Sequence, residues 1–115
     1  MDCPVKRGEI YYANLDPTLG SETAKRRPVL IVSNDINNQA ATTVTILPIT
    51  SKVTKVYPFE VLLSPGDSGL PKPSKVQAQQ IRTISIQRLD DKAIACLNSS
   101  LMETVEIAMR LHLAL

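Results

Sequence analysis

Residues 28–50 read PVLIVSNDINNQAATTVTILPIT. The Val, Ile and Leu of 28–33 and the Thr, Val and Ile of 43–50 suit strands, because β-branched side chains pack on a pleated surface and lose rotamer freedom in a helix. The first run is nearly all apolar, as in a strand buried on both faces. Residues 34–38 are expected to form a turn or a short helical turn. Pro48 has no N–H for a ladder, which implies an edge position, a bulge or a backbone that leaves the ladder there, so the residues just after it would be freed from regular pairing.

Toward the N-terminus, GEIYYANL (8–15) reads as a strand that ends at Asp16-Pro17. A loop follows over 18–27, with Gly20 and three consecutive basic residues, Lys25, Arg26 and Arg27. Toward the C-terminus, 59–63 gives a strand, and SPGDSGLPKPSK (64–75) has the proline and glycine content of a mobile surface loop. VQAQQIRTIS (76–85) predicts one long strand, or two short ones bent near Gln79 and Gln80. After a turn at Asp90-Asp91, AIACL (93–97) supplies a last strand. Ser100 and Glu103 suggest a capping box that opens a terminal helix. On it Glu103, Glu106 and Arg110 form a polar stripe, leaving an apolar face to pack on the sheet. The expectation is an α+β, mostly-β domain, a small barrel-like sheet with a C-terminal helix. With 115 residues there is room for a single domain over 1–115.

A hydrophobic share of 43% with 21% charged residues excludes a disordered chain. The net charge of +2 is too small to establish a nucleic-acid partner. Placement says more, since nine of the thirteen Lys and Arg residues fall in four groups: Lys6 and Arg7, Lys25 to Arg27, Lys52 and Lys55, Lys72 and Lys75. In loops, such side chains can reach a polyanion, although on charge alone solvated loop residues are the simpler account. Cys3 and Cys96 lack the spacing of a zinc site. No stretch is apolar enough for a signal peptide or a membrane span, so a cytoplasmic protein without membrane attachment is expected.

The single histidine, His112, excludes a two-histidine acid-base scheme within one subunit and reads as a helix-end residue. Carboxylates are scattered apart from Asp90-Asp91, which argues against a two-metal nuclease and against any metal or other cofactor. No Gly-rich phosphate loop, HExxH or GxSxG is present. What remains for phosphate chemistry is arginine, hydroxyl groups and backbone donors. Arginine binds phosphate through a planar fork and stays charged at working pH. That inventory suffices for RNA transesterification, where the substrate's own 2′-hydroxyl attacks and the protein aligns it and stabilises phosphoryl charge. DNA lacks the attacking group.

KRGEIYYANLDPTLGSE (6–22), KRRPVLIVSND (25–35), PITS (48–51), PFEVLL and QIRTIS followed by RL occur in an order and spacing that resemble the MazF/PemK ribonuclease toxins over roughly residues 6–113. The resemblance implies an SH3-like barrel with a C-terminal helix, a homodimer, single-stranded RNA held along the dimer interface, and a cognate antitoxin that occupies the groove. It implies a catalytic pair, Arg27 donating to the scissile phosphate and able to shuttle the proton, and Thr50 holding a non-bridging oxygen. Products would be a 2′,3′-cyclic phosphate and a 5′-hydroxyl, and Pro48 would let Thr50 and Ser51 turn toward the groove. Gly20, Ser21 and Lys25 belong to a loop that closes over RNA, with Ser51, Lys52, Lys55 and Gln80 as further RNA contacts. Glu22 acts there either as a base toward RNA or by ordering the loop through Lys25 or Arg26. Arg82 braces the dimer or the sheet. The rival class is a binding protein of the same fold, either a DNA gyrase binder like the CcdB toxins or an inactive RNA-binding protein; Arg27, Thr50 and the GSE segment together favour the nuclease.

Overall fold

Residues 28–50 supply the centre of the sheet. Strand β3 (Thr43–Thr50) lies antiparallel to β2 (Arg26–Ile31), which lies antiparallel to β1 (Glu9–Asn14). The computed structural model describes residues 5–115; Cys3 falls outside them. Four shorter strands complete the sheet: β4 (Glu60–Leu63), β5 (Ser74–Gln77), β6 (Arg82–Ser85) and β7 (Ala95–Cys96). Their order is β4-β5-β3-β2-β1-β7, with β6 also on β3.

Strand β3 changes neighbour partway along. Its first half pairs with β6, from Thr43↔Ser85 to Ile46↔Arg82, and its last two residues pair with β5 as Ile49↔Val76 and Thr50↔Lys75. A one-turn 3-10 helix, Ala78–Gln80, carries the chain between those partners. The switch curls the sheet into a half-barrel with apolar side chains packed on both faces, because successive residues of a strand point to opposite sides. Leu30, Leu47, Ile49 and Val76 pack on one face with Met102, Val105 and Ala108 of the terminal helix. Val29, Ile31, Val44, Ile46 and Ile84 pack on the other with Leu15. The architecture is the expected α+β, mostly-β barrel-like sheet with a C-terminal helix.

Helix α1 (Asp35–Ala40) is the expected short helical turn, capped by the Asn34 side chain, which accepts from the Asn37 N–H at 2.8 Å. Several local expectations are corrected. Residues 64–75 are not one loop: α2 (Pro65–Ser68) ends on Gly69 at φ +72°, Leu70 is buried, and β5 already begins at Ser74. Residues 76–85 hold two short elements bent at 78–80, the second of the two alternatives. The terminal helix α3 (Ser99–Leu113) is capped by Asn98, which accepts from the Leu101 N–H at 2.9 Å, so Ser100 lies inside the first turn and forms no capping box with Glu103. Asn has the same capping chemistry as Ser, and three such residues, Asn98, Ser99 and Ser100, precede the apolar run. Not all of the apolar face of α3 is covered, since Ile107 and Leu111 remain exposed beyond the polar stripe. None of the helices among the described residues is long and apolar enough to cross a membrane.

Candidate active site

Two prolines shape the ends of the central strands. Gly8 N–H donates to the Ile31 carbonyl and Val32 N–H to the Thr45 carbonyl, so by alternation Pro28 turns its nitrogen toward β3 and Pro48 turns its own toward β5 and β6. On that second side the pairing skips from Ile46 to Ile49, so the donor that Pro48 lacks is not needed. Pro28 has a larger effect. The next bonded pair after Leu30↔Leu47 would be residue 28 with Ile49, and without an N–H the ladder stops at Val29↔Pro48. Beyond it β2 stays with β1 and β3 goes with β5, and a cleft of about 220 Å³ opens between them, lined by Tyr12, Arg26, Arg27, Ile49, Ser51 and Lys72 among others.

This corrects part of the role expected of Pro48. The β3–β6 ladder does end short of Pro48, but Thr50 is not freed from pairing and remains in register with Lys75, and the β2–β3 ladder ends where Pro28 lacks a donor. Arg26 and Arg27 are likewise strand residues rather than loop residues, opposite Asn14 and Ala13 of β1. Continuing the β2–β3 register past Val29↔Pro48 would set Arg27 opposite Thr50; of the two, Arg27 lines the cleft, as does Ser51, the residue after Thr50.

Arg27 is half-buried, and its Nε–H donates to the Ala24 carbonyl at 3.2 Å. Among the described residues, its terminal nitrogens have no protein acceptor, so the fork faces the cleft edge without a carboxylate. Thr50 Oγ1 accepts from the Lys52 N–H at 3.3 Å, which leaves its hydroxyl proton free to donate. Arg26 is committed elsewhere. It forms an ion pair with Asp90 and lies over the Tyr12 ring at 4.4 Å. Arg7 is also occupied, by the Val32 carbonyl and by Glu106 on α3 at 3.1 Å, so the Lys6–Arg7 group is not a free cationic pair.

The β1–β2 loop, residues 15–25, is held by exposed and half-buried hydrogen bonds. Gly20 is exposed at φ +56°, a conformation that costs a side-chain-bearing residue energy. Glu22 Oε1 accepts from the Leu19 N–H at 2.6 Å, so its carboxylate orders the loop through backbone and not through Lys25 or Arg26. Lys25 adopts φ +69°, fixed by its N–H to Asp16 at 2.9 Å and its carbonyl to the Leu15 N–H at 2.9 Å. Gln80 ties this loop to the sheet, accepting from the Thr23 N–H at 3.2 Å and donating to the Ser21 carbonyl at 3.3 Å. Arg82 donates to the Leu15 carbonyl at 2.8 Å and so braces the sheet at the base of the loop.

The β3–β4 loop, residues 51–59, carries exposed Lys52 and Lys55, the latter with its Nζ 4.6 Å from the Tyr57 ring centre. Beneath it lies a polar network that the sequence reading missed. Lys75 was grouped with the loop cations, yet it is buried, donating to Glu60 Oε1 at 2.8 Å and to the Lys55 carbonyl at 2.6 Å. Glu60 also accepts from the Tyr57 N–H at 3.0 Å and from Gln79 at 2.7 Å. Burial is the largest influence on the Glu60 carboxyl and would raise its pKa. The hydrogen bonds from Lys75, Tyr57 and Gln79, with the Lys75 charge, outweigh it and hold the group below its ordinary value. The available signal was one Glu inside the apolar strand PFEVLL, since a lone carboxylate at a buried position needs a cation. His112, at the end of α3, packs near Phe59 at 6.2 Å between ring centres, in keeping with a helix-end role. Among the described residues no group of three or more His, Cys, Asp or Glu side chains could hold a metal ion.

Comparison with known proteins matches residues 6–113 to the PemK-like, MazF-like toxin of type II toxin-antitoxin systems. Endoribonuclease MazF9 of Mycobacterium tuberculosis is 42% identical over 96% of this chain and 98% of its own length. Endoribonuclease EndoA of Bacillus subtilis is 40% identical over 96% of each. Among solved structures, MazF from Deinococcus radiodurans superimposes with a TM-score of 0.85 at 26% identity, covering 99% of this chain and 100% of that one.

Proposed function

The chain belongs to the PemK-like, MazF-like toxins of type II toxin-antitoxin systems, and from that premise we propose that it is an endoribonuclease toxin that cuts single-stranded RNA at selected sequences without a metal. The observation that carries this reading is the cleft where β2 and β3 part, lined by Arg27, whose terminal nitrogens have no acceptor among the described residues, and by Ser51, the residue next to Thr50. The substrate's 2′-oxygen attacks phosphorus and the bond to the 5′-oxygen breaks. A proton leaves the 2′-hydroxyl and one reaches the departing oxygen, giving a 2′,3′-cyclic phosphate and a 5′-hydroxyl. Arg27 stabilises the phosphoryl charge and Thr50 holds a non-bridging oxygen. Glu22 orders its loop, and Gly20, Ser21, Lys25 and Gln80 shape that loop over the RNA. Ser51 lines the cleft, and Lys52 and Lys55 receive flanking phosphates.

In this reading residues 1–115 act as one toxin domain in the cytoplasm, paired as a homodimer through exposed apolar side chains such as Leu62, Ile107 and Leu111. RNA runs along that interface, and a cognate antitoxin silences the toxin by covering the same groove. The gyrase-binding alternative is not favoured, since both curated relatives bear the name endoribonuclease. Replacing Arg27 by Ala should slow RNA cleavage about 100-fold or more with the fold intact, because a charged transition-state donor is lost. Cleavage within a few-fold of wild type would sink the assignment. A monomer in sedimentation at micromolar concentration would remove the dimer.

A further inference from the structure

The loop of residues 51–59 has no core of its own. Val53 and Phe59 are half-buried and the other seven residues are exposed, so packing does not set its shape. One buried side chain reaches all of it. Lys75 is paired through its backbone with Thr50, where the loop begins. Its ammonium donates to the carbonyl of Lys55, in the middle, and to Glu60, where the loop ends. Glu60 in turn accepts from the Tyr57 N–H, and the Tyr57 carbonyl accepts from the Glu60 N–H at 2.9 Å. Tyr57 stacks on Phe59 with ring centres 5.2 Å apart, which closes the loop from the outer side. Side-chain exposure is 9% for Lys75 and 1% for Glu60, so this charge pair is a fixed anchor and not a solvated contact.

We propose that Lys75 and Glu60 are positioning residues for RNA binding: from beneath, their buried pair holds the loop in the one shape that presents Lys52 and Lys55 to the substrate's phosphates. This rests on the endoribonuclease reading above. It assigns the pair no contact with RNA. It separates two tasks, since Arg27 and Thr50 sit on strands that pair independently of Lys75's ammonium, whereas the loop lysines depend on it. Losing the pair should therefore weaken binding far more than chemistry on bound RNA.

Breaking the pair from one side would strand a buried charge, so the test uses Glu60→Gln with Lys75→Met, which removes both charges at once. In that background Gln79 Oε1, buried and without a partner, can accept from the new amide. Hydrogen exchange should show faster exchange at the Tyr57 amide, with the β1–β2–β3 ladder still protected. KM for a single-stranded RNA should rise about tenfold as the two lysine–phosphate contacts are lost from the bound state. The kcat should stay within about threefold. The dependence of binding on salt should flatten by about 1.4 in the slope of log K against log salt, about 0.7 for each of two lost phosphate contacts. Lys52→Ala with Lys55→Ala calibrates that slope. A slope that falls in the lysine variant but not in the charge-pair variant would overturn the positioning role while leaving the RNA reading intact. A slope unchanged in both would show that the loop does not meet phosphates, which also overturns it. Failure of the wild-type protein to bind RNA at all would count against the endoribonuclease reading itself.

Discussion

The loop between β1 and β2 and the loop between β3 and β4 are held in different ways. The β1–β2 loop is held by exposed and half-buried hydrogen bonds: the Leu19 N–H to Glu22, the Lys25 N–H to Asp16, and Gln80 with Ser21 and Thr23. The β3–β4 loop is held from below by a buried ion pair. Bonds near the surface exchange with water at little net cost, so the first loop is the less firmly held. A buried charge pair is costly to separate, so the second is preset.

The comparison breaks most visibly at Lys75. Lys75→Met alone leaves Glu60 charged and buried, and should cost about 3–5 kcal/mol in urea unfolding. If the loss were under about 1 kcal/mol, the network would be no more than a surface contact. Gln80→Ala removes two ties of the other loop, one exposed and one half-buried, and should cost about 1 kcal/mol. It should raise KM a few-fold with kcat unchanged, which steady-state kinetics on a short RNA will read.

Acid should separate the two loops further. The Glu60 carboxyl lies below its ordinary 4.5 in the folded protein, so its contribution is present above that value and is lost as pH falls through the lower folded one. Asp35, held down chiefly by the Arg7 N–H, shifts in the same direction at the surface near α1. Urea midpoints should therefore decline below about pH 4.5 in the wild type, and less steeply in the variant with both Glu60 and Lys75 neutralised. Equal declines would place the acid sensitivity elsewhere. An effect of similar size is expected at Gly20, where no atom lies within 4 Å of an added Cβ and only the positive φ resists. Gly20→Ala should cost about 1 kcal/mol, measurable as a small shift in the thermal midpoint.

Much of this was legible in the residues. The β-branched runs around residues 28–50 predict the central strands, and the ordered motifs from Lys6 onward carry the family and single out Arg27 and Thr50. The parts that escaped were those set by distant partners. Lys75 reads as one more cation beside Lys72 because nothing near it in sequence shows that Glu60, fifteen positions earlier, will neutralise it. Arg26 reads as one of three consecutive loop cations until β1 and Asp90 are folded against it. Pro48 drew notice because it interrupts an apolar run, while Pro28, at the start of one, stops the β2–β3 ladder. Which proline does so depends on the side each nitrogen faces, and that is decided by strand pairing. The choice of Asn98 over Ser100 as helix cap is a competition between two good caps settled by where β7 ends.

The most direct measurement is to incubate the purified protein with a long single-stranded RNA in EDTA, beside DNA of the same sequence, and to identify the ends of any fragments. The account predicts discrete cuts in the RNA alone, each leaving a 2′,3′-cyclic phosphate and a 5′-hydroxyl. Intact RNA across several unrelated sequences, or cleavage of the DNA as well, would contradict it.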